Sequence, residues 1–442
     1  VQNQSIGAWL SICLCVLASH AALPTRAGAP WLNLPEIEPA ARNCGGISFA
    51  ATGAAPAALA PESGWSLAGP IDATTTASQI RPDVVGDVGG RVYAIWQEQT
   101  ASDAGNIYAM ALGEAPGAVR RAVRVDDSGP AATEQSQPTL AATPDGRLHA
   151  VWQDRRGGAQ AHLYYASSAD GGASWSANTS ITAALGSRSH SEPSLAVTSD
   201  SSLALAWRAR DASGSVIYYS QRGAAEWSSP LPLSSGPATT ERGLPKLILD
   251  PQGGLIAAWE DQRAGTSEIY TARRASGAAA WGDDVLSSPH GAVARRPSLG
   301  AAPGGALYIA YEGAPGIYLM RSADLGATWG APRRADDGDG TLFTNPRVAV
   351  DRRGRVHCIW CQLKPGVVAD IIAARSDDGG ASWAGRVPLA SSTGTANPLA
   401  LAVDKAGNVH ALWTDDRDGG ARPQLYGALW RGNSAFLPLV QR

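Results

Sequence analysis

The chain has 442 residues, a formal net charge of −3, 17% charged residues and 44% hydrophobic ones. This balance excludes the strongly basic surface of a nucleic-acid binder and the composition of a disordered acidic chain. With 50 Gly and 29 Pro, turns are abundant and long helices disfavoured, and the length suits either about three domains of roughly 150 residues or one large all-β domain.

Residues 6–18 (IGAWLSICLCVLA) form an apolar run of 13, short for a bilayer span, and small residues follow it near Ala21 and Ala29. Residues 1–29 are read as an export signal, with a buried helix as the other reading. The mature chain is then secreted or held in the cell envelope, without a transmembrane span. Residues 30–63, rich in Ala and Pro, read as a linker. Cys13 and Cys15 leave with the signal and Cys44 stays in the linker. Cys358 and Cys361 lie three apart on a predicted strand, face opposite sides and should not pair. No Cys/His cluster has structural-zinc spacing; no metal and no cofactor is expected.

From residue 65 to 430 one pattern repeats seven times: Pro, a short apolar run, Gly, then an apolar run closed by Trp or Tyr. The prolines are Pro82, Pro138, Pro193, Pro245, Pro297, Pro346 and Pro398. The aromatics are Trp96, Trp152, Trp207, Trp259, Tyr311, Trp360 and Trp413, spaced 49 to 56 residues apart. Each unit reads as four strands. Strand A follows the Pro, whose missing N–H suits a strand's first residue, and strand B ends at the aromatic. Strand C carries a Tyr such as Tyr108 or Tyr164, with Ile371 in the sixth unit, and strand D reads like PLPLS (230–234). Four short strands per unit, repeated radially, predict an all-β fold, a β-propeller of seven four-stranded blades, with six the other count.

The C–D turns hold SADGGASW (168–175), SADLGATW (322–329) and SDDGGASW (376–383). Asp170, Asp324 and Asp378 suit Asx-type turns, and Gly172, Gly326 and Gly380 suit positive φ. Trp175, Trp329 and Trp383 plug the blade edge, and units three and four keep only Trp227 and Trp281. With Ser168, Ser322 and Ser376 these make three full copies of the Asp-box, or BNR repeat. The chain resembles the sialidase superfamily of propellers. The resemblance implies that the boxes are structural and lie away from the active face.

Residues 64–72 (GWSLAGPID) look like a strand D with no A–C before it, while the last unit begins at Pro398 and has A, B and C. Ring closure by this N-terminal strand explains both; FLPLV (436–440), in the C-terminal tail 431–442, is the rival. DDGDG (336–340) has Val348 where a calcium loop needs Glu and reads as a turn. His149, His357 and His410 recur on strand B and read as packing residues.

The face opposite the Asp-boxes carries the D–A and B–C connections. Asp154, Asp261 and Asp415 recur there with Arg156, Arg263 and Arg417, as a loop-stabilising pair would. The segments before each Pro vary from blade to blade and supply the ligand-binding candidates: Arg81, His190, Glu192, Arg242, Arg295 and Arg296. Glu134, Gln137, Glu241, Asn345 and Asn397 stand beside them or in the corresponding segments. Several Arg around a channel mouth suit a carboxylate-bearing ligand. The family resemblance implies three Arg holding a sugar carboxylate, a Tyr nucleophile with a Glu, and an Asp acid/base. Arg81, in QIRPDVV, stands one residue out of the family's R-I-P register, and no unique Tyr–Glu pair stands out. The expected function is a monomeric module binding a glycan or an extracellular protein through this face. An exo-α-sialidase-type hydrolase and a structural envelope component are the alternatives.

Overall fold

A computed structural model describes residues 64–432, apart from 67, 73–74, 101, 103, 113–120, 130–132, 224–225, 339–341, 365–366, 393–398 and 417–421. The export signal, the linker, the C-terminal tail, Asn397, Pro398 and Arg417 lie outside the described residues. The described residues contain no helix and form seven four-stranded antiparallel sheets, the blades of a β-propeller. Blades one to six are contiguous, running from Ser78–Gly86 in blade one to Ala384–Ser392 in blade six. Blade seven takes strands A–C from Leu399–Val403, Val409–Asp415 and Gln424–Trp430, and its outer strand from Gly69–Pro70. Gly69 pairs with Gly427 and Pro70 with Tyr426, and Trp65 bridges to Trp430. The N-terminal strand closes the ring, as its isolation in the sequence suggested.

The repeated Pro and aromatic turn out to be two halves of one device. Strand A begins before the Pro rather than after it: Ser78–Gly86 contains Pro82, and Ser189–Val197 contains Pro193. In blades one to six the A–B pairing skips the Pro and the residue before it, so that two residues oppose the single strand-B aromatic. This is a β-bulge, a place where a strand tolerates a residue without an N–H. The residue before the Pro has a left-handed backbone every time: Arg81, Gln137, Glu192, Leu244, Arg296 and Asn345 have φ of 49–55°. That conformation is costly for non-glycine residues. Six copies persist because the aromatic opposite and the next blade over-determine them.

The core lies between blades. Trp96, Trp152, Trp207, Trp259, Trp360 and Trp413 are fully buried. Tyr93 and Ile95 of blade one pack with Leu140, Leu148 and Trp152 of blade two, and each junction around the ring repeats this. Strand-C tyrosines stack on the aromatics, Trp207 on Tyr218 at 5.9 Å between centroids and Tyr311 on Tyr318 at 5.6 Å. Cys358 and Cys361 are buried free thiols, and burial raises both pKa values, that of Cys361 to about 12. The turn at 336–338 is a strand cap, in which Asp336 accepts the Ile317 N–H at 2.7 Å.

The Asp-boxes form hydrogen-bonded turns. Ser168 Oγ donates to Asp170 at 2.7 Å and accepts the Gly172 N–H at 2.8 Å, and Asp170 accepts the Ser174 N–H at 2.9 Å. The turns at Ser322–Asp324 and Ser376–Asp378 repeat this, with Gly172, Gly326 and Gly380 at φ of 87–89°. Hydrogen bonds from Ser174 and Ser168 hold the Asp170 pKa down to about 2.

The histidines are packing groups. His149 Nδ1 lies 2.8 Å from the Tyr165 hydroxyl, and His357 and His410 hydrogen bond to Asp351 and Asp404. Burial lowers the pKa of His149 and of His190 to about 4, with nearby positive groups adding to the effect. A folded pKa below the unfolded value of about 6.5 means that the unfolded chain binds these protons first, so stability falls as pH drops from about 6.5 to about 4. Denaturant titrations across that window should show this decline, and His149→Gln should make it shallower. A decline unchanged in that variant would count against the assignment.

Candidate functional site at the channel mouth

Counting back from the Pro explains what each strand A presents. Three residues before it stand Gln79, Gln135, His190, Arg242, Ala294 and Phe343, and all six are buried, at 4% exposure or less. This column faces the neighbouring sheet. His190 Nδ1 accepts the Trp207 indole N–H at 3.0 Å. Arg242 donates through Nε to Asp261 at 2.8 Å and also to the carbonyls of Ser215, Pro237 and Ser235. His190 and Arg242 therefore do not ring the mouth, because strand alternation turns their column into the packed interior.

The residue before the Pro is different. The bulge aims it at the mouth, where it meets the side chain that follows the strand-B aromatic. Arg81 Nη1 donates to Gln97 at 2.9 Å, Arg208 to Glu192 at 3.0 Å, and Arg296 Nη1 to Glu312 at 2.9 Å. Bonds then run from blade to blade. Gln137 Oε1 accepts the Glu192 N–H at 2.8 Å, Glu192 accepts the Leu244 N–H, and Glu260 accepts the Arg296 N–H. Arg296 also reaches Thr344 Oγ1 of blade six at 3.0 Å. These contacts hold the strained residues and link the blades at their inner edge.

Most cations at the mouth are matched. Arg81 lies 3.7 Å from Glu134, Arg155 3.3 Å from Glu134, Arg210 3.1 Å from Glu241, and Arg208 sits between Glu192 and Glu241. Burial opposes the Arg208 charge, but the two glutamates outweigh it and raise its pKa. Burial raises the Glu260 pKa, against the Arg296 N–H and guanidinium that favour its charge. Blade five departs from this balance. Arg295, half-exposed and adjacent to Arg296, has no side-chain carboxylate in hydrogen-bond reach among the described residues. Val293 and Leu342, 40% and 45% exposed, open strands A of blades five and six beside it. The mouth there is a small cationic and apolar patch. Of the six sequence candidates, Arg81, Glu192, Arg295 and Arg296 belong to the mouth. Sequence reading missed Glu260 and Glu312, whose signal is their place one residue after the aromatic.

The recurrent B–C pairs are braces. Asp154 is fully buried and accepts the Trp152 indole N–H at 3.0 Å, the Arg156 N–H at 2.8 Å and Arg156 Nε at 2.9 Å. Asp261 does the same for Trp259 and Arg263, and Asp415 accepts from Trp413. All eleven tyrosines stand on strands B or C, so none rises from strand A to the mouth as a nucleophile would. No group of three His, Cys, Asp or Glu suited to a metal occurs among the described residues.

No protein-family profile and no curated protein matches this sequence. Solved structures do match the fold. An ulvan lyase has a TM-score of 0.58 at 11% identity, with 81% of this chain and 94% of that chain covered. The same type of lyase bound to -[GlcA(1-4)Rha3S]- has a TM-score of 0.55. The Penicillium chrysogenum α-L-arabinanase complexed with arabinobiose has a TM-score of 0.50 at 13% identity, with 83% and 98% covered. A Hadza microbial sialidase has a TM-score of 0.49 at 14% identity, with 77% and 76% covered. The protein is thus a seven-bladed β-propeller whose structural neighbours are sialidases and other glycoside-hydrolase and polysaccharide-lyase propellers. At these identities the likeness is one of fold.

Proposed function

We propose that this is an exported module that binds an acidic glycan at the channel mouth, around blade five, without cleaving it. The observation that carries the reading is Arg295, a guanidinium without a carboxylate partner beside the 31% exposed side chain of Arg296. A planar guanidinium prefers a carboxylate or sulfate that it can grip with two N–H groups. The solved lyase complex with -[GlcA(1-4)Rha3S]- supports the class of ligand, since a propeller of this shape holds an acidic saccharide there. The placing of every tyrosine on strands B and C supports binding over sialidase-type hydrolysis, whose Tyr nucleophile needs a base within hydrogen-bond reach.

The test is titration of the full chain with uronate-bearing, sulfated and neutral oligosaccharides, alongside a fluorogenic sialoside assay. Acidic saccharides should bind and neutral ones should not, with no sialoside turnover. Arg295→Ala should weaken binding about tenfold or more, the order of one charge-assisted hydrogen bond, and leave the melting temperature unchanged. Equal binding of neutral and acidic saccharides, or robust turnover, would refute the proposal.

A further inference from the structure

The inner edge of each strand A is an unpaired sheet edge, and its backbone N–H groups need acceptors. At alternate junctions the residue after the Pro supplies one to the next blade. Asp83 Oδ2 accepts the Leu140 N–H at 3.0 Å, Ser194 Oγ the Leu247 N–H at 3.0 Å, and Ser298 Oγ the Val348 N–H at 3.1 Å. At the corresponding position blade four carries Lys246 and blade six Arg347, which cannot accept. Downstream of Arg347, Leu401 of blade seven pairs with Ala411, two residues before Trp413. Leu140, Leu247 and Val348 pair at that same distance from their own aromatics. The B–C register is also the same, Trp413 facing Tyr426 as Trp152 faces Tyr164. The Leu401 N–H therefore points inward at the blade six–seven junction.

Arg347 is surrounded by protein on all sides while its side chain keeps contact with solvent-sized space. Among the described residues its one hydrogen bond goes to the carbonyl of Pro346, at 2.9 Å. Its charged neighbours are Asp83, which attracts it, and Arg296, which repels it. Enclosure outweighs Asp83 and lowers its pKa to about 10.

We infer that the inner wall of the propeller holds one small inorganic anion at the junction of blades six and seven, bound by the Arg347 guanidinium and the Leu401 N–H. It takes there the capping role that Asp83, Ser194 and Ser298 play elsewhere. An anion matches both requirements of the site, a charge for an enclosed guanidinium and an acceptor for an inward N–H. The site is separate from Arg295 and does not depend on the glycan reading.

Bromide and sulfate are the probes. Crystals of the full chain soaked in sodium bromide should show an anomalous peak within hydrogen-bond reach of Arg347. In solution, replacing gluconate by bromide or sulfate at constant ionic strength should raise the melting temperature saturably, by about 2–4 °C. Arg347→Gln should abolish that rise. The probe with the lower saturating concentration tells a halide site from an oxyanion site. A wall without bromide, a peak with no saturable melting response, or a response that survives in Arg347→Gln overturns the inference. If Arg347→Gln does not fold, the peak and the melting response of the unaltered chain decide it.

Discussion

Arg242→Met is expected to cost about 3–5 kcal/mol of stability, the range for removing one partner of a buried ion pair. The side chains of Arg242 and Asp261 are 1% and 0% exposed. Asp261 keeps Arg263 and the Trp259 indole in the variant, so little of the loss falls on the carboxylate. It falls on the carbonyls of Ser215, Pro237 and Ser235, which lose their guanidinium donors in the space between blades three and four. Methionine fills much of the volume and donates nothing. Chemical denaturation of the two proteins measures the difference, and glycan titration of the folded variant should be unaltered. A variant as stable as the parent but unable to bind would return Arg242 to the ligand site.

Removing the closing strand should be comparably severe. A chain starting at residue 77 loses the pairing of Gly69 and Pro70 with blade seven. It also loses the Ser66 and Ile71 N–H bonds to Leu429 and Leu425. Trp65, Ala68 and Ile71 leave the apolar clusters around Trp413, Leu412 and Leu425. At about 1.5–3 kcal/mol for a large side chain, two such losses amount to at least 3 kcal/mol even for partly buried groups. The bared Gln424–Trp430 strand then offers an open edge to other molecules. Lower denaturation midpoints and concentration-dependent aggregation are expected relative to a chain starting at residue 64. Coincident unfolding curves would show that the ring does not rely on this strand.

The fold was legible because its most repeated residues sit where geometry leaves least choice. In blades one to six the Pro and the strand-B aromatic stand 14 residues apart, and the structure supplies the reason: they face each other across the bulge. The bulge itself was not legible, since a Pro at a strand's first residue and a Pro inside a bulge satisfy the same missing N–H. That ambiguity carried over to the site. Arg242 and Arg296 both lie just ahead of a Pro, three residues and one residue away, and look alike in the sequence. Alternation sends the first into the packed column with Gln79, Gln135 and His190, and the bulge sends the second to the mouth. Glu260 and Glu312 were overlooked because one residue after a buried aromatic reads as strand interior, whereas strand B has by then reached the loop face.

The closing pair has a consequence for how the ring is made. Gly69 and Gly427 are 358 positions apart, and joining the ends of a flexible chain of that length costs about 5 kcal/mol in entropy. A ribosome delivers the closing strand first and its partner last. Six blades can assemble in order during synthesis, each on the one before, and their arc carries the early strand round towards the site where its partner will emerge. Most of the entropy of closure has then been lost in small steps before the ends meet. The final strand, once released, converts an open arc with two bare margins into a ring that must open as a whole.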